Sequence, residues 1–189
     1  MGKLKDYSGD FKPDLKLEDL SKDFLITLIK QYAAAYTRLA EFWYVQAARK
    51  VGEKEALIME KAVWDEVGAT TVPKIAKAAN IQVKDLVDAI KVWQTCPDGT
   101  MQGVYEGAFD IKNRNHVILT FTRCRTLDFF ERKSPERIKS VCHELEKAGM
   151  EAYFRTIIPG VEVTALKLPP RKSPDEIACQ WEYKLRKKA

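Results

Sequence analysis

The hydrophobic repeat of the chain changes near residue 98, and this change constrains the fold more than any other feature. Before it, apolar residues recur at steps of three and four, which is typical of amphipathic helices. After it, apolar and polar residues alternate, which is typical of strands. The turn sequence Cys96-Pro97-Asp98-Gly99 lies at the transition. We therefore expect an α+β fold, in which a helical N-terminal half packs on a mostly antiparallel sheet with one inserted helix.

The helical half is expected to begin with one long helix and to continue in shorter ones. Gly52 should end the first helix, and Gly68 should interrupt the second. The predicted helices cover residues 17–51, 53–67, 73–79 and 83–93. The repeat of the first helix consists of Leu17, Leu20, Phe24, Leu28, Tyr32, Tyr36, Leu39 and Trp43.

The second half is expected to form a sheet interrupted by one helix. Ser134 and Pro135 should begin this helix as its N-cap and first residue, and it should run to residue 148. The predicted strands cover residues 103–110, 116–124, 151–157, 161–168 and 177–185, the first two forming a hairpin. The expected organisation is a flexible tail (1–16), a helical subdomain (17–98) and a sheet subdomain (99–189), together one cooperative domain.

Composition restricts the class of protein. No apolar run approaches the roughly 20 residues that a bilayer requires, so we expect no membrane partner. The four cysteines are widely spaced and no secretory signal is recognised at the N-terminus, which predicts reduced thiols in the cytoplasm. The net charge of +5 arises entirely in residues 101–189. Its tightest run, at Lys184, Arg186, Lys187 and Lys188, is interpreted as a solvated tail, with an anionic partner such as RNA or a membrane surface as the alternative.

A nucleic-acid-binding module is a further alternative, and the sequence disfavours it. Residues 72–94 have the order helix, short turn, helix that DNA-reading domains use. The second helix would present Asp85 and Asp88 beside Lys84 and Lys91. Because two aspartates would face phosphates, we favour helical packing.

Three cysteines occupy definable positions in the sheet half. Cys124 ends a strand, and Cys142 lies on the apolar face of the inserted helix. Cys179 opens the last strand, on the same side as Trp181. Three thiolates and one further ligand would form a tetrahedral site for zinc or another thiophilic metal. Packing as small hydrophobes is the alternative, because the spacings match no standard zinc motif.

Two neighbours of these cysteines could carry protons. His143 and Glu144 follow Cys142 directly and are the candidates for the fourth ligand or a general base. A solvated surface position is the alternative for His143. Cys124 could instead act alone as a nucleophile, because it lies between Arg123 and Arg125, although strand neighbours point to opposite faces.

The first helix is unusually rich in aromatic residues. Core packing is the simplest interpretation of such a stripe, and one wall of an apolar ligand pocket or a homodimer face is the alternative. The aromatic residues concerned are Tyr32, Tyr36, Phe42, Trp43 and Tyr44. For a pocket wall, the candidates are Tyr36, Trp43 and Trp181.

The stretch from Leu168 to Tyr183, with its Pro-Pro pair and its Cys-x-Trp-Glu-aromatic ending, resembles a family of uncharacterised proteins related to L-2-amino-thiazoline-4-carboxylic acid hydrolase. The segment WYVQAARKVGEKEAL resembles the helix-Gly-helix junction of that family. The family cysteines correspond to Cys124, Cys142 and Cys179, and its Trp-Glu pair to Trp181 and Glu182. Several relatives carry another Cys before the Pro-Pro pair and an Asp after it, where this chain has Lys167 or Leu168 and Arg171.

The resemblance implies a functional cysteine site. We expect a cysteine-lined metal or small-molecule site, and as an enzyme a hydrolase of a small C–N/C–S heterocycle. Metal-bound water would attack the ring, with His143 or Glu144 as proton carrier. The main alternative is a non-catalytic ligand or redox/metal sensor domain, with a small molecule as the partner in either case.

Overall fold

The structure, a computed structural model, describes residues 2–100 and 105–186. Within them, five α-helices and a four-stranded antiparallel sheet confirm the α+β class. The helices are α1 (Lys22–Val51), α2 (Glu53–Ala78), α3 (Leu86–Thr95), α4 (Arg125–Lys133) and α5 (Glu146–Ile157), and the strands are β1 (Tyr105–Asn113), β2 (His116–Cys124), β3 (Val161–Lys167) and β4 (Cys179–Leu185). A 3-10 turn (Leu17–Asp19) precedes α1, and a π-helical segment (Lys139–Leu145) continues directly into α5.

The two longest helices form a hairpin. The Ser21 hydroxyl caps α1 by accepting a hydrogen bond from the Phe24 amide at 3.2 Å. Gly52, with φ of 89°, ends α1 and lets α2 begin at the next residue. Only Ala33 and Tyr44 of α1 are buried, so this helix is attached to the molecule by a narrow stripe.

The sheet has the strand order β1-β2-β4-β3 and two different faces. Leu119 pairs with Trp181, and Val117 pairs with Tyr183, which places four buried side chains on the inner face. On the outer face, the Gln180 amide donates to the Thr120 hydroxyl at 2.8 Å. An antiparallel sheet with one wet face produces this alternation, which is why the sequence predicted these strands correctly.

One hydrophobic core joins the two halves of the chain. The Trp93 ring on α3 packs edge-on against Phe109 and Phe121 of the sheet, with centroids 6.3 and 6.1 Å away. The same cluster contains Val72 of α2 and Phe154 of α5. None of the described helices combines the length and the apolarity needed to cross a membrane.

Several predicted boundaries were wrong. Helix α2 continues through Gly68 and Pro73 to Ala78, replacing two predicted helices, because tertiary packing outweighs the helix-breaking preference of single residues. Residues 151–157, predicted as a strand, complete α5, and α4 was not predicted. The helix predicted to begin at Ser134 and Pro135 begins at residue 137, after a turn at residues 135–136, and continues into the π-helical segment.

Two predicted segments extend beyond the part of the chain that the structure describes. The first two residues of the strand predicted over 103–110 lie outside it, as do Lys187 and Lys188. In the predicted tail, Leu4 forms an isolated bridge with Leu20.

Candidate functional site

A cavity of about 200 Å³ lies between the helices and the inner face of the sheet. Side chains of all five helices, of the π-helical segment and of β1, β2 and β4 line it, and most of the lining is apolar. Its ionisable lining residues are Glu41, Glu60, Asp98, Arg137 and Glu146, together with the four cysteines and several tyrosines. Of the predicted site residues, Cys124, Cys142, Cys179 and Tyr36 line this cavity.

Cys124, Cys142 and Cys179, here called the thiol cluster, all line this cavity. The Cys124 sulfur accepts a hydrogen bond from the Leu127 amide at 3.4 Å, which also caps α4. The Cys179 sulfur accepts one from the Trp181 indole at 3.3 Å. The β2 end, the π-helical segment and the β4 start thus bring three distant sequence positions to one cavity.

The three thiols are held in their neutral form. Burial raises the pKa of Cys124 to about 11 and that of Cys179 to about 12. Burial raises the pKa of Cys142 further, with the neighbouring Cys124 and Glu146 adding to the rise. Arg123, expected to activate Cys124, is exposed and 3.7 Å from both Glu106 and Asp128. A nucleophilic thiolate is therefore not favoured at neutral pH.

Glu146 is the acidic residue that accompanies the thiol cluster. It lies one helical turn after Cys142 and lines the cavity. Burial, and to a smaller extent the charge of Asp98, raises its pKa to about 7. The i, i+4 spacing to Cys142 was the sequence signal for it, but the prediction chose His143 and Glu144, because they follow Cys142 directly.

Neither His143 nor Glu144 is a lining residue of the cavity. The His143 Nε2 atom is 2.6 Å from the Pro169 carbonyl oxygen, to which it can only donate. Glu144 is exposed and forms an ion pair with Lys61 at 3.5 Å. Their catalytic role stays a prediction, and the structure brings neither of them to the thiol cluster.

The thiols of the thiol cluster and the carboxylate of Glu146 are ligands that suit a thiophilic metal, but these side chains do not surround one common point. Among residues 2–100 and 105–186, no three Cys, His, Asp or Glu side chains lie close enough to share a metal ion. As ligands, the thiol cluster and Glu146 would supply three sulfur atoms and one oxygen atom. Zinc binding therefore stays a prediction.

Sequence reasoning missed a second polar group, here called the arginine subsite, which consists of Arg137, Glu60 and Glu41. The Arg137 guanidinium is buried and stacks on the Tyr44 ring at 4.0 Å and on the Phe130 ring at 5.1 Å. Burial raises the pKa of Glu60 to about 7 and also raises that of Glu41. A buried arginine in a segment that was predicted as plain helix gave no pattern by which to find it.

The three aromatic residues predicted as a pocket wall, Tyr36, Trp43 and Trp181, lie in different environments. Tyr36 lines the cavity, and its ring packs edge-on against Trp64 with centroids 5.8 Å apart. Trp181 is fully buried in the core and touches the cavity region through Cys179. Trp43 is 40% exposed, on the same helix as the exposed Tyr32 and Phe42. A homodimer face on α1 stays a prediction.

The predicted DNA-reading segment is occupied with internal contacts. The Asp85 side chain caps α3, and Asp88 is buried and bonded to Arg114 and Lys91, each at 3.2 Å. The apolar residues of α3 belong to the core. A nucleic-acid partner stays a prediction that these contacts do not favour.

Comparison with known proteins assigns the chain to a family but gives no function for that family. A family model described as a family of unknown function (DUF6125) matches residues 17–185. The chain therefore belongs to the DUF6125 family. Searches of curated proteins and of solved structures find no match. Nothing in these comparisons links the family to L-2-amino-thiazoline-4-carboxylic acid hydrolase, so that resemblance stays a prediction.

Proposed function

We propose that the protein binds a small organic molecule in the cavity between its helices and its sheet. The observation that carries this proposal is the pair of glycines in its wall. Gly68 of α2 and Gly149 of α5 both line the cavity, and a Cβ added to either would meet nothing within 4 Å. Glycine inside a helix costs about 0.5–1 kcal/mol relative to alanine, and here no neighbour requires it. A ligand that occupies this space explains why the wall is left bare.

The size and lining of the cavity limit the ligand. An apolar cavity of about 150 Å³ accommodates benzene. The volume of about 200 Å³ here suits one ring with a short substituent. The mostly apolar walls would bind such a body, while the thiol cluster and the arginine subsite would contact its polar groups.

Filling the cavity tests the proposal. Toluene binding to the purified protein would be measured by ligand-observed NMR for the native chain, Gly68→Leu and Gly149→Leu. Ala69→Leu is the matched control, because Ala69 is the exposed neighbour on the same helix. We expect binding to the native chain and to the control, and its loss in both filled variants. Absence of toluene binding to the native chain, or equal binding in all four proteins, would contradict the proposal.

A thiophilic metal centre is a second candidate function. The favouring observation is that three thiols and Glu146 line one cavity, in which burial and, to a smaller extent, the charge of Glu146 raise the pKa values of Cys142 and Cys179. Without a cation, these thiols stay protonated, and a metal ion would change this. Cys124, Cys142 and Cys179 would hold it, and when bound it would supply the polarising charge that hydrolysis of a small C–N/C–S ring requires.

Metal content distinguishes this second candidate. Elemental mass spectrometry after reconstitution with Zn²⁺ under reducing conditions would compare the native chain with the triple variant Cys124/Cys142/Cys179→Ser. Cys96→Ser is the control, because the buried Cys96 sulfur interacts with the Val92 carbonyl instead. We expect about one equivalent in the native chain and the control and none in the triple variant. No metal in any of the three would leave a non-catalytic ligand-binding or redox-sensing role.

A further inference from the structure

Arg137 is a buried cation that no carboxylate of the described residues bonds directly, although Glu41 and Glu60 are near enough to feel its charge. Arg137 is 9% exposed, and its guanidinium forms no hydrogen bond or ion pair within the described residues. Two aromatic rings, of Tyr44 and Phe130, hold the guanidinium in place, and its buried Nε–H is left without an acceptor. Because an unpaired buried charge is costly, such a group indicates a site that something else completes.

Glu60 adds a second unpaired polar atom to the same cavity. It is 7% exposed, and its Oε2 atom has no hydrogen-bond partner. The other ionisable groups around Arg137 are Glu41 and Tyr44 of α1 and Glu53 of α2. Tyr44 donates to Glu53 at 2.5 Å, so these two are already engaged with each other. Within this subsite, Arg137 and Glu60 are therefore the groups that have a buried polar atom without a partner, and Glu41 is the remaining carboxyl beside them.

We infer that Arg137 and Glu60 bind the head group of a ligand that carries a single carboxylate on an apolar body. A guanidinium N–H and the O–H of a protonated Glu60 can both donate to one carboxylate, whose planar shape suits them. A phosphate dianion would bring more negative charge beside Glu41 and Glu60 than one arginine balances. The apolar remainder of the ligand would lie along the mostly apolar cavity walls.

This inference rests on the proposed function, since it specifies the class of ligand that the cavity takes. Three probes with one body test it: 3-phenylpropanoate, its neutral amide 3-phenylpropanamide, and the cation 3-phenylpropylamine. Calorimetric titration at pH 6 would compare the native chain with Arg137→Met and Glu60→Gln. Arg155→Met is the control for the loss of one positive charge, because Arg155 is exposed and paired with Asp65 at 3.3 Å.

We expect the native chain and the Arg155→Met control to bind the carboxylate at least tenfold more tightly than the amide. Arg137→Met should lose this preference and keep its affinity for the amide, which also shows that the variant folds. Glu60→Gln should weaken the preference by a smaller factor. Raising the pH from 6 to 8 should weaken carboxylate binding to the native chain, because ionised Glu60 loses its O–H and repels the anion.

The opposite results separate this inference from the proposed function. Equal binding of acid and amide, tighter binding of the amine, or toluene binding without binding of any of these three probes would overturn the carboxylate subsite and leave the cavity as a ligand site. If toluene and all three probes fail to bind, the proposed function is overturned as well.

Discussion

The hydroxyl of Tyr153 donates a hydrogen bond to the backbone carbonyl of Ala89 at 2.7 Å in the buried core. This bond joins α5 to α3, two helices that are separated in sequence by β1, β2 and α4. Tyr153 also lines the cavity, and burial raises its pKa well above the usual value for tyrosine. The contact therefore fixes one wall of the cavity with respect to the core.

Replacing this tyrosine measures the contact. We expect Tyr153→Phe to lower the free energy of unfolding by about 1 kcal/mol, the net contribution of one buried hydrogen bond. Urea unfolding followed by circular dichroism is the measurement. Tyr32→Phe is the control, because Tyr32 is 66% exposed and should unfold like the native chain. An unchanged midpoint in Tyr153→Phe would show that the bond contributes nothing.

Arg171 should be among the most sensitive surface-loop positions. Its side chain is 3% exposed and donates to both oxygens of Glu131 and, at 2.5 Å, to Asp128. We expect Arg171→Met to lower the free energy of unfolding by about 2–3 kcal/mol, because two partly buried carboxylates lose their cation. Arg171→Lys should lower the free energy of unfolding by a smaller amount than Arg171→Met, since an ammonium keeps the charge but cannot form the paired hydrogen bonds. The exposed neighbour Arg132, changed to Met, should have little effect, and equal losses at the two positions would refute the prediction.

The buried carboxyls predict a specific pH dependence of stability. The pKa of Glu60 is about 7 in the folded chain and about 4.5 as its ordinary value. The folded state thus binds more protons than the unfolded state between these values, so stability falls as the pH rises from 4.5 to 7. Glu60→Gln should remove this loss and gain about 2 kcal/mol relative to the native chain between pH 5 and pH 8. Denaturant unfolding at both pH values is the measurement.

The same argument applies to Glu146, and an exposed acid provides the comparison. Burial raises the pKa of Glu146 to about 7 as well, so Glu146→Gln should show the same gain. Glu151→Gln, on the exposed side of α5, should follow the native chain at both pH values. A difference between variant and native chain that is the same at pH 5 and pH 8 would mean that neither carboxyl is protonated by burial.

The thiol cluster should react slowly with alkylating reagents. A pKa near 11 leaves Cys124 with roughly a hundredth of the thiolate of an ordinary cysteine at neutral pH. We expect iodoacetamide at pH 7.5 to modify Cys124 about 100-fold and Cys179 about 1,000-fold more slowly than a cysteine in a short peptide, measured by mass spectrometry. Modification of Cys124 at the peptide rate would instead support a nucleophilic thiolate.

The sequence predicted the parts of this fold in which one face is buried and the other is wet. Val117, Leu119 and Phe121 are buried at every second position of β2, and Thr120 and Thr122 on the other face are polar, so β2 could be predicted directly from its pattern. The buried residues of α5, such as Met150 and Tyr153, follow a helical spacing, but the prediction took Gly149 as the end of the helix. Local preference marks a boundary only when packing does not oppose it, and here α5 packs on α2.

The sequence predicted the cysteines of the candidate site, but it did not predict the buried charged residues. The alternation of β4 placed Cys179 and Trp181 on one face, as the structure shows. No pattern identified Arg137 or Glu60, because their importance comes from burial beside a cavity, which depends on how distant elements meet. A lone buried charge leaves no periodic signal in a sequence.

The thin attachment of α1 determines how quickly the cavity can exchange its contents. Tyr36 and Thr37 of this helix form part of the cavity wall, although only two of its thirty residues are buried. A helix with so little buried surface should detach more often than the rest of the molecule unfolds. Ligand residence time would then follow the undocking rate of one helix, and an occupied cavity should slow amide hydrogen exchange in α1 before it changes exchange anywhere else.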